Sequence, residues 1–91
     1  MASTARVTIT NRLGMHARPA MLLAEIAQEF DSEISIRRMD HDDMVDAKSI
    51  MQLMMLAATE GTELEIKATG PDADASIQRL VELIKTGFDE E

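Results

Sequence analysis

The sequence predicts an α+β fold of order βαββαβα, in which a four-stranded antiparallel sheet carries three helices on one face. Two periodicities indicate this fold. Three short segments alternate apolar and polar residues with a period of two, as strands do when one face is buried, and a fourth short strand follows a polar turn. Three other segments repeat apolar residues at helical spacing. Because the second face of each predicted strand is polar, we expect the helices to cover only the other face, in an open-faced sandwich.

In the first part of the chain, a strand, a helix and a second strand follow one another. Val7 and Ile9 alternate with polar neighbours, which predicts the first strand. An apolar stripe predicts a helix over residues 19–30, and Ile34 and Ile36 alternate with polar residues in the second strand. The members of the helical stripe are Leu23, Ile26, Ala27 and Phe30.

The remaining elements are separated by clear turn signals. A polar turn at residues 40–43 precedes a short third strand at 44–46, and a short helix is expected over 49–57. Residues 63–68 alternate and predict the fourth strand. Gly-Pro-Asp at 70–72 breaks the chain before the last helix. Its apolar stripe is Ile77, Leu80, Val81, Ile84 and Phe88.

Composition narrows the class of protein. The 91 residues fit one domain, residues 1–91, with a single two-layer core. With 17 acidic and 9 basic residues, the net charge of −8 argues against nucleic acid or an anionic membrane as the main partner. The absence of cysteine excludes disulfides and cysteine-bound metals. No apolar run approaches the ~20 residues of a membrane span and no signal peptide is evident, so we expect a cytoplasmic protein. We also expect it to be a monomer.

The acidic turn at residues 40–43 raises the question of a metal site. Three aspartates flank His41 there, and carboxylate oxygens are suitable ligands for a divalent cation. Consecutive side chains rarely converge on one ion, however, and charged turns are common. We therefore expect neither a metal nor another cofactor.

Residues 11–20 hold the pattern most directly tied to chemistry. A glycine-containing bend delivers His16 to a helix start, where Pro19 fits the first turn. A neutral imidazole, with an ordinary pKa of about 6.5, can accept and return a phosphoryl group near neutral pH. The helix start at Ala17 offers backbone N–H groups and a positive dipole end, and Arg18 adds a permanent charge. The pattern predicts reversible phosphorylation of His16.

Ser49 is a second candidate site. A serine at this position caps the short helix by accepting a hydrogen bond from a backbone N–H. Phosphate is also favoured at a helix start, so a structural cap and a regulatory phosphorylation site are compatible.

Several of the eight methionines are predicted to face outward. At about 100° per residue, Met51 and Met55 point away from the core and Met54 lies at the margin of the buried stripe. That stripe is assigned to Leu53, Leu56 and Ala57. Met21 falls on the outer side of the first long helix. We expect adaptable apolar side chains here to dock several partners. This surface, which we call the methionine face, consists of Met21, Ile50, Met51 and Met54. Two other methionines are assigned to structural packing, Met39 and Met44.

Two motifs resemble those of HPr, the histidine phosphocarrier family of the bacterial phosphotransferase system. GMHARPA at residues 14–20 is similar to the hallmark around the family's phosphorylated histidine. KSIM at residues 48–51, followed by Met54, is similar to the hallmark around its regulatory serine. Both stand at the family's usual relative positions, and the βαββαβα order agrees with the family fold. Gln52 and Ala57 stand where the family often has glycine.

The resemblance implies a carrier without turnover of its own rather than an enzyme. The Nδ1 nitrogen of His16 would take a phosphoryl group from phosphorylated Enzyme I, with Arg18 beside it, and hand it to a histidine on a IIA component of a sugar permease. Ser49 would be the ATP-dependent regulatory site, with a serine kinase/phosphorylase and a transcriptional regulator as further partners. The alternative is a regulatory paralogue that acts mainly through Ser49, as a corepressor or kinase modulator.

Overall fold

The computed structural model describes residues 1–89, whose elements follow the order βαββαβα, as predicted. The strands are β1 (Ala2–Thr8), β2 (Glu33–Arg38), β3 (Val45–Asp46) and β4 (Glu63–Thr69). The helices are α1 (Ala17–Ala27), α2 (Ile50–Met55) and α3 (Ala73–Lys85), and a 3₁₀ turn at Gly87–Asp89 follows α3. Glu90 and Glu91, the end of the acidic tail, lie outside the described residues.

The sheet is antiparallel, and its strands lie in the order β1-β4-β2-β3. On its apolar face, Ile66 of β4 lies in register between Ala5 of β1 and Ile36 of β2. On its polar face, Glu65 lies opposite Arg37, whose Nε donates to Glu65 Oε1 at 2.8 Å. The alternation of the sequence thus separates the two faces, which confirms the predicted fold class.

The helices cover the apolar face and form one hydrophobic core with it. Leu23 of α1 and Leu80 of α3 are fully buried, as is Ile66 beneath them in the sheet. Removing a side chain of this size from water contributes about 1.5–3 kcal/mol. The shortest helix, α2, buries only Leu53 among its own residues. The outer side of α2 therefore takes no part in the core.

Two apolar residues predicted to extend helices lie beyond the helix ends. α1 ends at Ala27, and Phe30 follows in the next turn, where it packs half-buried against the core. α3 ends at Lys85 because Gly87, with a φ of +67°, reverses the chain. This reversal buries Phe88, so the residue belongs to the core as predicted but not to the helix.

The predicted burial of Ala57 is wrong. Ala57 is exposed and has a left-handed backbone with a φ of +52°, because α2 has already ended at Met55. The neighbouring Ala58 is buried instead. A left-handed backbone suits glycine better than alanine, so Ala57 is strained at this position. Met44, assigned to packing, is 38% exposed since it precedes the short β3 at the end of a turn, whereas Met39 is half-buried.

Asp72 joins the turn before α3 to the turn after α1. One carboxylate oxygen accepts hydrogen bonds from the N–H of Ser32 at 2.9 Å and from its hydroxyl at 2.5 Å. The other accepts from the N–H of Asp31 at 2.9 Å. The Ser32 hydroxyl and then the Asp31 N–H hold the pKa of Asp72 below its ordinary value. The side chain thus bridges two turns 40 residues apart instead of capping α3.

We expect Asp72→Asn to lower the urea midpoint of unfolding at neutral pH, because an amide replaces one of the accepting oxygens and the charge is lost. The carboxylate stabilises the fold fully above its ordinary pKa of 3.8, and this contribution disappears as the pH falls through the lower folded value. The two proteins should therefore converge in stability on acidification. Asp42→Asn, in the exposed turn, removes the same charge and should follow the wild-type profile. Equal midpoints for Asp72→Asn and wild type at pH 7 would refute this role.

Candidate functional site

The loop between β1 and α1 is closed by its own hydrogen bonds. Asn11 is buried, and its side-chain Nδ2 donates to the Gly14 carbonyl at 2.8 Å. The Gly14 N–H in turn donates to the Asn11 carbonyl at 3.2 Å. At the start of the loop, the Ile9 N–H donates to the Thr62 carbonyl at 2.9 Å. The loop is therefore fixed both internally and against the segment that precedes β4.

Gly14 allows this loop to pass close to the segment that follows α2. Its φ is +68°, and a Cβ atom at this position would lie 2.3 Å from the Ala58 carbonyl oxygen. The close approach lets the Met15 N–H donate to that oxygen at 2.8 Å, while the Met15 side chain is buried. The backbone conformation and the contact both require glycine.

His16 lies at the N-cap of α1, as predicted. Its backbone is extended, with φ −87° and ψ −172°, and its carbonyl accepts the Ala20 N–H at 3.0 Å. The half-buried His16 side chain makes no capping hydrogen bond to the helix. The N–H groups of Ala17 and Arg18 begin the first turn, where helical geometry supplies no partner, and Pro19 has no N–H. Two backbone donors thus follow His16 at the positive end of the helix dipole.

Arg18 is exposed at the same helix start. Among residues 1–89, no carboxylate forms an ion pair with its guanidinium. Its charge is therefore available to an anionic group at the start of α1.

Ser49 is the N-cap of α2, which confirms its predicted structural role. Its hydroxyl accepts the Gln52 N–H at 3.3 Å. The Gln52 side chain also has a local role here, because its Oε1 accepts the Asp46 N–H at 2.9 Å. The neighbouring Lys48 carbonyl accepts a hydrogen bond from Gln28, just after α1, at 3.0 Å. The end of α1 and the start of α2 are thereby joined.

The residues of the methionine face are exposed, in agreement with the helical geometry. Met51 is 77% exposed, and the other three members, Met21, Ile50 and Met54, are between 39% and 45% exposed. α1 and α2 pack against each other, so their outward residues belong to neighbouring elements. Sequence reasoning missed Leu13, which is also strongly exposed and lies within the loop before His16. An apolar residue inside a polar bend is the signal that could have identified it.

Arg38, the last residue of β2, connects the turn at residues 40–43 to the segment that follows α2. The Arg38 guanidinium donates to the carbonyls of Leu56 and Ala57, both at 3.3 Å, just beyond the end of that helix. It also forms two hydrogen bonds to Asp40, each at 3.0 Å, and these lower the pKa of the Asp40 carboxyl.

Within residues 1–89, no three acidic or histidine side chains are placed to hold a metal ion. None of the helices described there has the length and apolar character that a membrane crossing requires.

Comparison with known proteins identifies the family. A family model described as the phosphorylation site of the HPr component of the phosphotransferase system matches residues 3–86. Phosphocarrier protein NPr of Escherichia coli K12 is 44% identical over 85 residues, 93% of each chain. Phosphocarrier protein HPr of Pseudomonas aeruginosa is 42% identical over 84 residues, 92% of each. A crystal structure of HPr from Thermoanaerobacter tengcongensis matches with a TM-score of 0.90 over 98% of both chains, at 37% identity.

The chain is a phosphocarrier of the phosphotransferase system, because it is similar to such proteins over nearly its whole length and shares their fold. The chain belongs to the HPr family, as the motifs at residues 14–20 and 48–51 predict.

Gly14→Ala should destabilise the protein by at least about 2 kcal/mol, because it combines left-handed strain with a clash against Ala58. Gly61→Ala is the matched control, since Gly61 has a φ of +89° but nothing within 4 Å of an added Cβ. The free energy of unfolding of Gly61→Ala should fall by only about 1 kcal/mol, which is the cost of placing alanine in a left-handed backbone. Urea denaturation of both variants measures the difference, and equal losses would show that the contact with Ala58 is unimportant.

Proposed function

We propose that this phosphocarrier accepts a phosphoryl group on Nδ1 of His16 from phosphorylated Enzyme I and passes it to a histidine on a IIA component. The observation that carries the proposal is the position of His16 at the exposed start of α1. The N–H groups of Ala17 and Arg18 and the Arg18 side chain follow His16 directly in the first turn of the helix. Two partially positive N–H groups, which form the positive end of the helix dipole, and one full positive charge are thus available near the place where a dianion would form.

Phosphoryl transfer between two histidines requires that the imidazoles be positioned and the phosphate charge be neutralised, more than that either imidazole be activated. A phosphorus–nitrogen bond to the donor histidine breaks, and one to His16 forms, so the exchange between similar acceptors is close to thermoneutral. Holding the two imidazoles in line removes most of the entropic barrier. Pro19 leaves the first turn with few donors of its own, which favours completion of the phosphate's coordination by the partner.

The methionine face supplies the docking surface in this proposal. It lies on α1 and α2, the helices that begin at His16 and Ser49. Flexible thioether side chains can repack against surfaces of different shape, as a carrier with a donor and several acceptors requires. Proteins named NPr and HPr are both called phosphocarriers, which supports transfer over a purely regulatory role.

Incubation with phosphoenolpyruvate and Enzyme I should place one acid-labile, base-stable phosphate on His16, and His16→Ala should abolish it. Arg18→Ala should slow labelling by about tenfold or more, since one charged donor is removed from the transferring group. Arg79→Ala, an exposed arginine on α3, is the charge-matched control and should keep the wild-type rate. Label that persists in His16→Ala would overturn the carrier assignment to this residue.

Ser49 supports a second level of control within the same function. Its hydroxyl already caps α2, so a phosphate ester there would meet the same N–H groups and the same dipole end. The modification adds about −1.5 to −2 charges next to Ile50 and Met51 of the methionine face. A docking partner would have to desolvate that dianion, so docking should weaken while the fold is retained.

Stoichiometric phosphorylation of Ser49 by an ATP-dependent serine kinase should therefore lower the rate of His16 labelling at least about tenfold. The melting temperature should not fall. Ser49→Ala, treated with the same kinase, should retain its own untreated rate because it cannot be modified. An unchanged rate for the phosphorylated protein would exclude the switch, and a large fall in melting temperature would indicate unfolding as the mechanism.

A further inference from the structure

We propose that Met51 is a reversible oxidation site, at which a peroxide converts the thioether to a sulfoxide and blocks the methionine face. The inference rests on the proposed function, because it adds a redox input to the same docking surface. Three observations support it: the exposure of individual methionines, the packing of α2, and the absence of cysteine from the chain.

Exposure divides the methionines into accessible and protected groups. Met1, Met51 and Met55 are 78%, 77% and 76% exposed, whereas Met21 and Met54 are less than half exposed and Met15 is 4% exposed. A peroxide must reach the sulfur atom to react with it, so Met1, Met51 and Met55 should react first and Met15 last. The chain has no cysteine, so no thiol within it competes for the oxidant.

The packing of α2 limits the effect of Met51 oxidation to the protein surface. Leu53 is the buried residue of this helix, and Leu56 follows it into the core. Met51 takes no part in that packing, so an added oxygen atom would leave the core intact. By contrast, oxidation of the buried Met15 would place a polar group in the core beneath the His16 loop.

The reaction is a balanced oxygen transfer. Hydrogen peroxide delivers one oxygen atom to the thioether sulfur, which loses two electrons. The O–O bond breaks, a sulfur–oxygen bond forms, and water leaves. A sulfoxide reductase reverses the step by supplying two electrons and two protons from a pair of thiols, which become a disulfide as the oxygen departs in water.

The consequence for docking follows from polarity. A sulfoxide oxygen is a strong hydrogen-bond acceptor, and burying it against an apolar partner surface without a donor weakens binding. Met51 stands two residues after Ser49, so oxidation and serine phosphorylation would act on the same part of the surface. One input depends on a kinase, and the other depends only on the oxidant.

The test uses limited hydrogen peroxide treatment of the full chain. Treatment is stopped when peptide mass mapping shows that Met51 and Met55 have each gained one oxygen atom. The rate of His16 labelling from phosphoenolpyruvate and Enzyme I is then measured for each variant before and after treatment, and the treated rate is divided by the untreated rate of the same variant. The wild-type rate should fall at least about tenfold after treatment and recover after incubation with sulfoxide reductases. Met51→Gln should show a low rate without any peroxide, because its polar side chain imitates the sulfoxide.

Two leucine variants separate the sites. Met51→Leu should keep a ratio near one after treatment, whereas Met55→Leu, equally exposed but outside the methionine face, should lose as much as wild type. A Met51 that stays unmodified while Met55 reacts, or a Met51→Leu protein that loses as much as wild type, overturns the inference alone. Untreated protein that is never labelled at His16 overturns the proposed function and the inference built on it.

Discussion

The hydrogen bond from the Met15 N–H to the Ala58 carbonyl is the contact on which the arrangement of the site depends. It ties the loop before α1 to the segment after α2, and Gly14 makes the approach possible. With the Ile9 contacts to residues 61 and 62, it fixes the start of α1 relative to the chain that leaves α2. The imidazole of His16 and the outward residues of α2 are therefore held in one frame. In the proposed function, this arrangement presents the transfer group and the docking surface together to a partner.

The features that the sequence predicts well are those with local causes. The strands alternate because one face of the sheet is buried, so Ile34 and Ile36 identify β2 without any knowledge of its partners. Ser49 identifies the start of α2 because capping joins residues only three positions apart. Met51 faces outward because helical geometry alone determines its direction. The motif around His16 likewise predicts its place at a helix start, since the bend, the cap and the proline are neighbours in the chain.

The features that periodicity does not predict are the ends of helices and the contacts between distant residues. Periodicity places Phe88 in a helix, but Gly87 ends that helix and a turn buries the side chain instead. Ala57 is misplaced for a similar reason, because nothing local announces that α2 ends at Met55. The pairing of Arg38 with carbonyls beyond α2 spans nearly twenty residues, and that of Asp72 with Ser32 spans 40. Such contacts exist only once the sheet has assembled.

The sparse packing of α2 has a consequence for how such carriers diverge. A helix that gives the core one leucine can exchange its outward residues with little effect on the free energy of folding. The loop that holds His16 tolerates fewer substitutions. A side chain at its glycine would clash with Ala58, and its buried side chains are enclosed by their neighbours. In the proposed function, partner choice and transfer chemistry are thus under separate constraints. The outward residues of α2 can change to fit a new partner while the loop that carries His16 stays the same.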